Sequence, residues 1–158
     1  MNRHGIVLAA CILSASCMAS DSGWSAYIKQ VASADPATIQ ALPAKIKSVG
    51  DSLDDEHVEQ LTTAISMALI KEPVAVLNVT NQFEASTDRL QQRFGTLLIC
   101  SIPLMINASN TQVEAYYVKA EPALERAGQP AAECLNNMRD IIAEVRQVAV
   151  NNPGIPHH

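Results

Sequence analysis

The sequence has little positive charge and no long apolar segment. Its 158 residues include 11 Lys and Arg against 16 Asp and Glu, a formal net charge of −5. The basic residues form no cluster, and nucleic-acid affinity depends on such clusters to neutralise phosphates, so we expect no nucleic-acid partner. Crossing a bilayer takes about 20 consecutive apolar residues. No segment reaches that length without charges or prolines, so we expect no transmembrane helix.

Common catalytic motifs are also missing. The sequence contains neither GxSxG nor HExxH, and its glycines stand alone rather than in a phosphate-binding loop. His57 lies among acidic residues, where a lone histidine is expected to be solvated. The acidic segment around it lacks the central glycine of a calcium-binding loop. We therefore predict no catalytic residue, no metal site and no cofactor, and keep an enzyme with an unrecognised site as an alternative.

The first residues have the pattern of a secretory signal peptide. Arg3 and His4 supply a basic start, residues 5–16 are uncharged and mostly apolar, and residues 20–22 are polar. The apolar stretch is about 12 residues, too short to span a bilayer. The sequence thus predicts export to the bacterial envelope or beyond.

Two processing sites fit this segment. Cleavage after Ala19, with small residues at −3 and −1, would remove residues 1–19 and release a soluble chain from Ser20. Alternatively, residues 14–17 serve as a loose lipoprotein box, residues 1–16 are removed and Cys17 becomes lipidated. A periplasmic or secreted protein and a membrane-anchored lipoprotein both remain open.

Cys100 and Cys134 are the only two cysteines beyond the predicted signal peptide. An isolated pair without a CxxC spacing or a neighbouring histidine, in an oxidising compartment, indicates a disulfide. A redox pair would need exposed cysteines, and a zinc site would need more ligands. The sequence predicts a structural disulfide between two packed helices.

Apolar residues recur at helical spacing over most of residues 22–150, and signals for strands are almost absent. We predict an all-α fold, one antiparallel bundle of six or seven helices over residues 20–150, followed by a flexible tail at 151–158. The first three predicted helices cover 22–33, run from Pro36 to Gly50 with a kink or split at Pro43, and end near Lys71. A short helix after Pro73 is followed by a predicted loop at 78–87, and a helix after Asp88 is predicted to bury Leu90, Phe94, Leu97 and Leu98. The next helix has a Thr111/Glu114 capping box and a kink at Pro122, and the last starts at Pro130 with the stripe Cys134, Met138, Ile141, Val145 and Val148.

An acidic cluster opens the third predicted helix. It consists of Asp51, Asp54, Asp55, Glu56 and Glu59. Carboxylates gather at helix N-termini because the helix dipole stabilises them by about 0.3–1 kcal/mol each, which accounts for them without any function. They also create a local field suited to a basic protein partner. Both interpretations stay open.

Tyr116 and Tyr117 point about 100° apart on a helix, so only one of them can be fully buried. The other is a candidate contact residue, because tyrosine is favoured in binding surfaces. A tyrosine at the edge of a helix is equally ordinary in any bundle.

These features predict an exported, non-enzymatic helical protein that binds another protein in the envelope. Its architecture is similar to that of small immunity proteins that neutralise cell-wall-degrading toxins. This resemblance is one of architecture alone, so it assigns no residue. An envelope structural protein or a small-ligand-binding protein is the alternative.

Overall fold

A computed structural model of the chain describes residues 21–101 and 108–151, apart from the side chains of Asp21 and Asp51. The predicted signal peptide, Cys17 and all but the first residue of the predicted tail lie outside these ranges. Within them, every regular element is a helix. The α-helices are α1 (Asp21–Ala32), α2 (Pro36–Val49), α3 (Asp55–Lys71), α4 (Pro73–Glu84), α5 (Arg89–Gln92), α6 (Thr96–Ile99), α7 (Asn110–Ala127) and α8 (Ala132–Asn151). Short 3₁₀ turns, Gly50–Ser52 and Gln129–Ala131, precede α3 and α8.

Helix α2 begins where the sequence places it and is not split. The Asp35 carboxylate accepts a hydrogen bond from the Thr38 backbone N–H at 2.9 Å, and Pro36 occupies the first turn. The helix continues through Pro43 to Val49, with its apolar face buried. Burial of that face offsets the backbone hydrogen bond that Pro43 cannot donate.

Helix α4 is longer than predicted. The loop expected at 78–87 is wrong, because the helix continues to Glu84. Val76, Thr80 and Phe83 recur at i, i+4 and i+7 and are buried, so core packing keeps this polar stretch helical. Helices α3 and α4 form the centre of the fold, since α3 contacts α1, α4 and α7, and α4 contacts α2, α5, α6 and α7 as well.

The single helix predicted after Asp88 is also wrong. The chain forms two single-turn helices, α5 and α6, separated at Gly95. A Cβ at Gly95 would clash with Oε2 of Glu84, which accepts a hydrogen bond from the Leu97 backbone N–H at 3.1 Å. Because the helix is broken here, the residues of the predicted apolar stripe do not share one face: Phe94 is fully buried, but Leu97 is 59% exposed.

Helix α7 starts two residues before the position that the capping box at Thr111 and Glu114 would give it. The capping box is formed by Ser109 and Gln112 instead: the Ser109 hydroxyl accepts a hydrogen bond from the Gln112 backbone N–H, and the Gln112 side-chain oxygen accepts one from the Ser109 backbone N–H. Helix α7 runs through Pro122, and Pro130 lies in the 3₁₀ turn that precedes α8 rather than in α8 itself.

The helix directions are mixed. Helices α7 and α8 run antiparallel, because Glu114 pairs with Arg146 while Glu121 pairs with Arg139. Helices α1 and α3 run parallel: the Trp24 indole N–H donates to Gln60 near their N-termini, and Lys71 donates to the Ala32 carbonyl near their C-termini. The two helices that flank α2 in the chain therefore run in the same direction.

The predicted disulfide is confirmed. Cys100 and Cys134 are bonded, with Cα atoms 5.3 Å apart, and join the end of α6 to the first turn of α8. Both cysteines are buried. None of the helices in the described residues is long and apolar enough to cross a membrane.

Candidate functional site

Asp54 of the acidic cluster is committed to capping α3. Its Oδ1 accepts a hydrogen bond from the His57 backbone N–H at 2.9 Å and lies 2.6 Å from the His57 Nδ1. These hydrogen bonds, the backbone one first, hold the pKa of the Asp54 carboxyl below its ordinary value. His57 is not the free surface histidine that we expected, because its ring also packs edge-on against Trp24, with centroids 5.0 Å apart.

The next carboxylates of α3 differ in how strongly they are engaged. Asp55 forms an exposed ion pair with Arg93 at 2.8 Å. Glu56 accepts one hydrogen bond, from the Gln60 amide at 3.2 Å. Glu59 is exposed and has no side-chain partner among the described residues. The side chain of Asp51 lies outside the description. The acidic cluster thus divides into a cap, an ion pair and two weakly engaged glutamates.

Those two glutamates lie at one end of a surface groove between α1 and α3. The groove has a volume of about 430 Å³. Its lining consists of Ile28, Ala32, Glu56, Glu59, Gln60, Thr63, Ala64 and Met67. Met67 is 39% exposed, although it is a large apolar residue. We call this feature the α1–α3 groove; no signal in the separate helix patterns could place it, because it depends on α1 and α3 running side by side.

The tyrosine pair divides as the helix geometry requires. Tyr117 is 5% exposed, its hydroxyl donates to Glu121 at 2.8 Å, and the Arg146 guanidinium lies 5.4 Å from its ring centroid. Tyr116 is half-buried and donates to the Ser66 carbonyl on α3 at 3.0 Å. Of the pair, Tyr116 therefore keeps more exposed surface, and it does not line the α1–α3 groove.

Ion pairs join α7 to α8, a feature that sequence patterns did not reveal. Arg146 donates two hydrogen bonds of 2.7 Å to Glu114, and Arg139 contacts Glu121 and Glu125. The Arg146 hydrogen bonds lower the pKa of Glu114. The pKa of Glu121 is lowered first by the Tyr117 hydroxyl and then by Arg139. These partly exposed pairs connect α7 and α8 at two positions along their length.

Tyr27 carries a buried polar atom without a partner. Its hydroxyl is inaccessible and makes no hydrogen bond among the described residues. Burial raises the pKa of Tyr27 to about 12. The ring packs against Trp24 at 5.7 Å between centroids, and the Lys45 ammonium lies 5.1 Å from its centroid. Burying a hydroxyl without a hydrogen-bond partner lowers the free energy of unfolding.

A second, smaller cleft lies over the disulfide. Its volume is about 280 Å³. It is lined by Asn81, Glu84, Thr96, Leu97, Cys100, Glu133, Cys134 and Asn137. A small polar molecule in this cleft could form hydrogen bonds with the two carboxylates and the two carboxamides that surround the disulfide. No group of three or more His, Cys, Asp or Glu in the described ranges is placed to hold a metal ion.

The described residues define an all-α protein that carries one inter-helix disulfide. Neither a protein-family model, nor a curated protein, nor a solved structure matches this chain.

Proposed function

We propose that this chain is an exported, non-enzymatic protein that binds another protein in the bacterial envelope. The observation that carries the proposal is the α1–α3 groove, an exposed and mostly apolar surface with Glu56 and Glu59 at one end. Exposed apolar surface beside charged groups is characteristic of protein-binding sites. The Cys100–Cys134 disulfide supports export, because such bonds persist in oxidising compartments.

An inhibitor or immunity protein is one form of this function. Its partner would be an enzyme whose activity falls when the complex forms. A periplasmic or secreted location fits release from Ser20, and attachment to a membrane fits lipidation at Cys17. Mass spectrometry of the protein recovered from the envelope distinguishes the two, since only the second adds acyl chains to the first residue of the mature chain.

The experiment that tests binding starts from the full chain produced in a bacterial periplasm. Crosslinking in intact cells followed by mass spectrometry identifies candidate partners. Each candidate is then purified and mixed with this protein, and the complex is measured by sedimentation velocity. A defined stoichiometric complex of purified components is the expected result. If no candidate reassembles at concentrations of tens of micromolar, the proposed function is wrong.

The cleft over the disulfide favours a second candidate, a small-ligand-binding protein. Glu84 and Glu133 contribute negative charge there, and no lysine or arginine is among the lining residues. A small cationic molecule with hydrogen-bond donors would suit that lining. Thermal shift measurements with a panel of amines, in parallel with the complex assay, separate this function from protein binding.

A further inference from the structure

We infer that the α1–α3 groove binds an amphipathic helix of the partner protein, with the helix's apolar face along the groove and a Lys or Arg side chain against Glu56 and Glu59. This inference rests on the proposed function, since it names the segment of the partner that is recognised. It also assigns an orientation to that segment.

The shape of the groove suits a helix. The residues of α3 that line it include Glu56, Gln60, Thr63 and Met67, at i, i+4, i+7 and i+11. At a rise of 1.5 Å per residue they span about 17 Å, or three helical turns. Ala32 on α1 and Ala64 on α3 also line the groove, and their small side chains let another helix approach closely.

The charge of the groove selects a basic partner. Glu56 and Glu59 lie in the first turns of α3, and no Lys or Arg lines the groove. Beyond Met67, Lys71 lies at the opposite end, where its ammonium donates to the Ala32 carbonyl at 2.7 Å. A docked helix is therefore stabilised when its own Lys or Arg lies against the glutamates, and it is destabilised when another of its cations lies near Lys71. This asymmetry fixes which way the helix lies.

The test uses a synthetic amphipathic helix of roughly 14 residues, with leucines on one face and two lysines in one terminal turn. A matched peptide replaces the lysines with glutamates. Binding of each labelled peptide to the full chain is measured by fluorescence anisotropy at low and high salt. We expect the basic peptide to bind, the acidic peptide to bind at least about tenfold more weakly, and high salt to reduce the difference.

Two variants, each with a matched control, locate the binding site. Met67→Glu places a charge on the apolar lining and should weaken binding more than about tenfold, whereas Val118→Glu, at a 65% exposed position on α7, should not.

The double variant Glu56→Gln, Glu59→Gln removes the acidic end and should weaken binding about fivefold, as expected for two exposed ion pairs. The control Asp140→Asn, Glu144→Gln removes two charges on α8 instead. Circular dichroism confirms that each variant is folded.

Equal binding of the two peptides, or wild-type binding by Met67→Glu, would overturn the inference. So would a dimer of this chain that Met67→Glu dissociates, because the occupant would then be a second copy. The same variants are measured against the reconstituted partner. If a partner binds the Met67→Glu variant as tightly as the wild type, the groove is not the binding site, but the proposed function still holds. If no partner reassembles, the proposed function is wrong, and the peptide result is judged separately.

Discussion

Replacing Tyr27 by phenylalanine should stabilise the protein. The buried Tyr27 hydroxyl makes no hydrogen bond among the described residues, and leaving such a group unpaired costs about 1–3 kcal/mol. Phenylalanine keeps the ring contacts with Trp24 and Lys45. We therefore expect Tyr27→Phe to raise the free energy of unfolding by about 1 kcal/mol, which corresponds to an increase in Tm of roughly 3–5 °C.

The same substitution at Tyr116 should have the opposite effect. Its hydroxyl donates to the Ser66 carbonyl, so Tyr116→Phe leaves that acceptor without its partner. The expected loss is about 1 kcal/mol, the usual contribution of a hydrogen bond of this kind. Tyr116 thus provides the control, because the chemical change is identical and its hydroxyl has the hydrogen-bond partner that the Tyr27 hydroxyl lacks.

Urea denaturation followed by circular dichroism measures both effects, and Trp24 fluorescence gives a second probe. High pH supplies an independent readout. Because burial holds the Tyr27 pKa near 12, above its ordinary value of 10.0, the folded state retains the proton longer than the unfolded state does. The wild type should therefore lose stability as pH rises from 10 towards 12, and Tyr27→Phe should lose less. A Tyr27→Phe variant that is destabilised as much as Tyr116→Phe would refute the reasoning.

The remaining predictions concern three other contacts. Cys134→Ser should lower the free energy of unfolding by roughly 3.5–4 kcal/mol, because the bond closes a loop between positions 34 apart; two thiols titrating in the unreduced wild type would contradict the bond itself. The pKa of Glu114 is below its ordinary value of 4.5, so its pairing with Arg146 stabilises the fold above that pH and is lost as pH falls through the lower folded-state value. Urea midpoints measured from neutral pH to pH 3 should accordingly fall more steeply in the wild type than in Arg146→Ala. Gly95→Ala should cost about 1 kcal/mol by displacing the Glu84 carboxylate from its backbone hydrogen bond, and a double-mutant cycle with Glu84→Ala should show that most of this cost disappears once the carboxylate is gone.

Helix periodicity predicted the elements whose buried residues recur regularly along one segment. Helix α3 is the clearest example: its apolar stripe and acidic start predicted an end near Lys71, which is where it ends. The stripe of α8 holds for Cys134 and Met138, but Val148 is half exposed, because the last turns of α8 extend past the core. A period in the sequence shows which face can be buried, but it does not show how far a neighbouring helix covers that face.

Contacts between distant segments account for what the sequence could not predict. The break at Gly95 depends on the position of Glu84, and the burial of Phe83 keeps α4 helical through residues with polar neighbours. The α1–α3 groove depends on the parallel pairing of two helices, which no local pattern encodes. The acidic residues were identifiable from the sequence, yet their division into a cap at Asp54, an ion pair at Asp55 and a groove edge could be seen only in three dimensions.

The disulfide also changes the topology of the chain. Residues 100–134 form a covalently closed ring that contains the whole of α7. A single peptide-bond cleavage anywhere inside this ring leaves the molecule in one piece, still joined through sulfur, whereas a cleavage outside it divides the molecule in two. In an environment that contains proteases, one cleavage inside this ring would yield a nicked molecule that is heavier by one water. The two fragments would separate only after the disulfide is reduced.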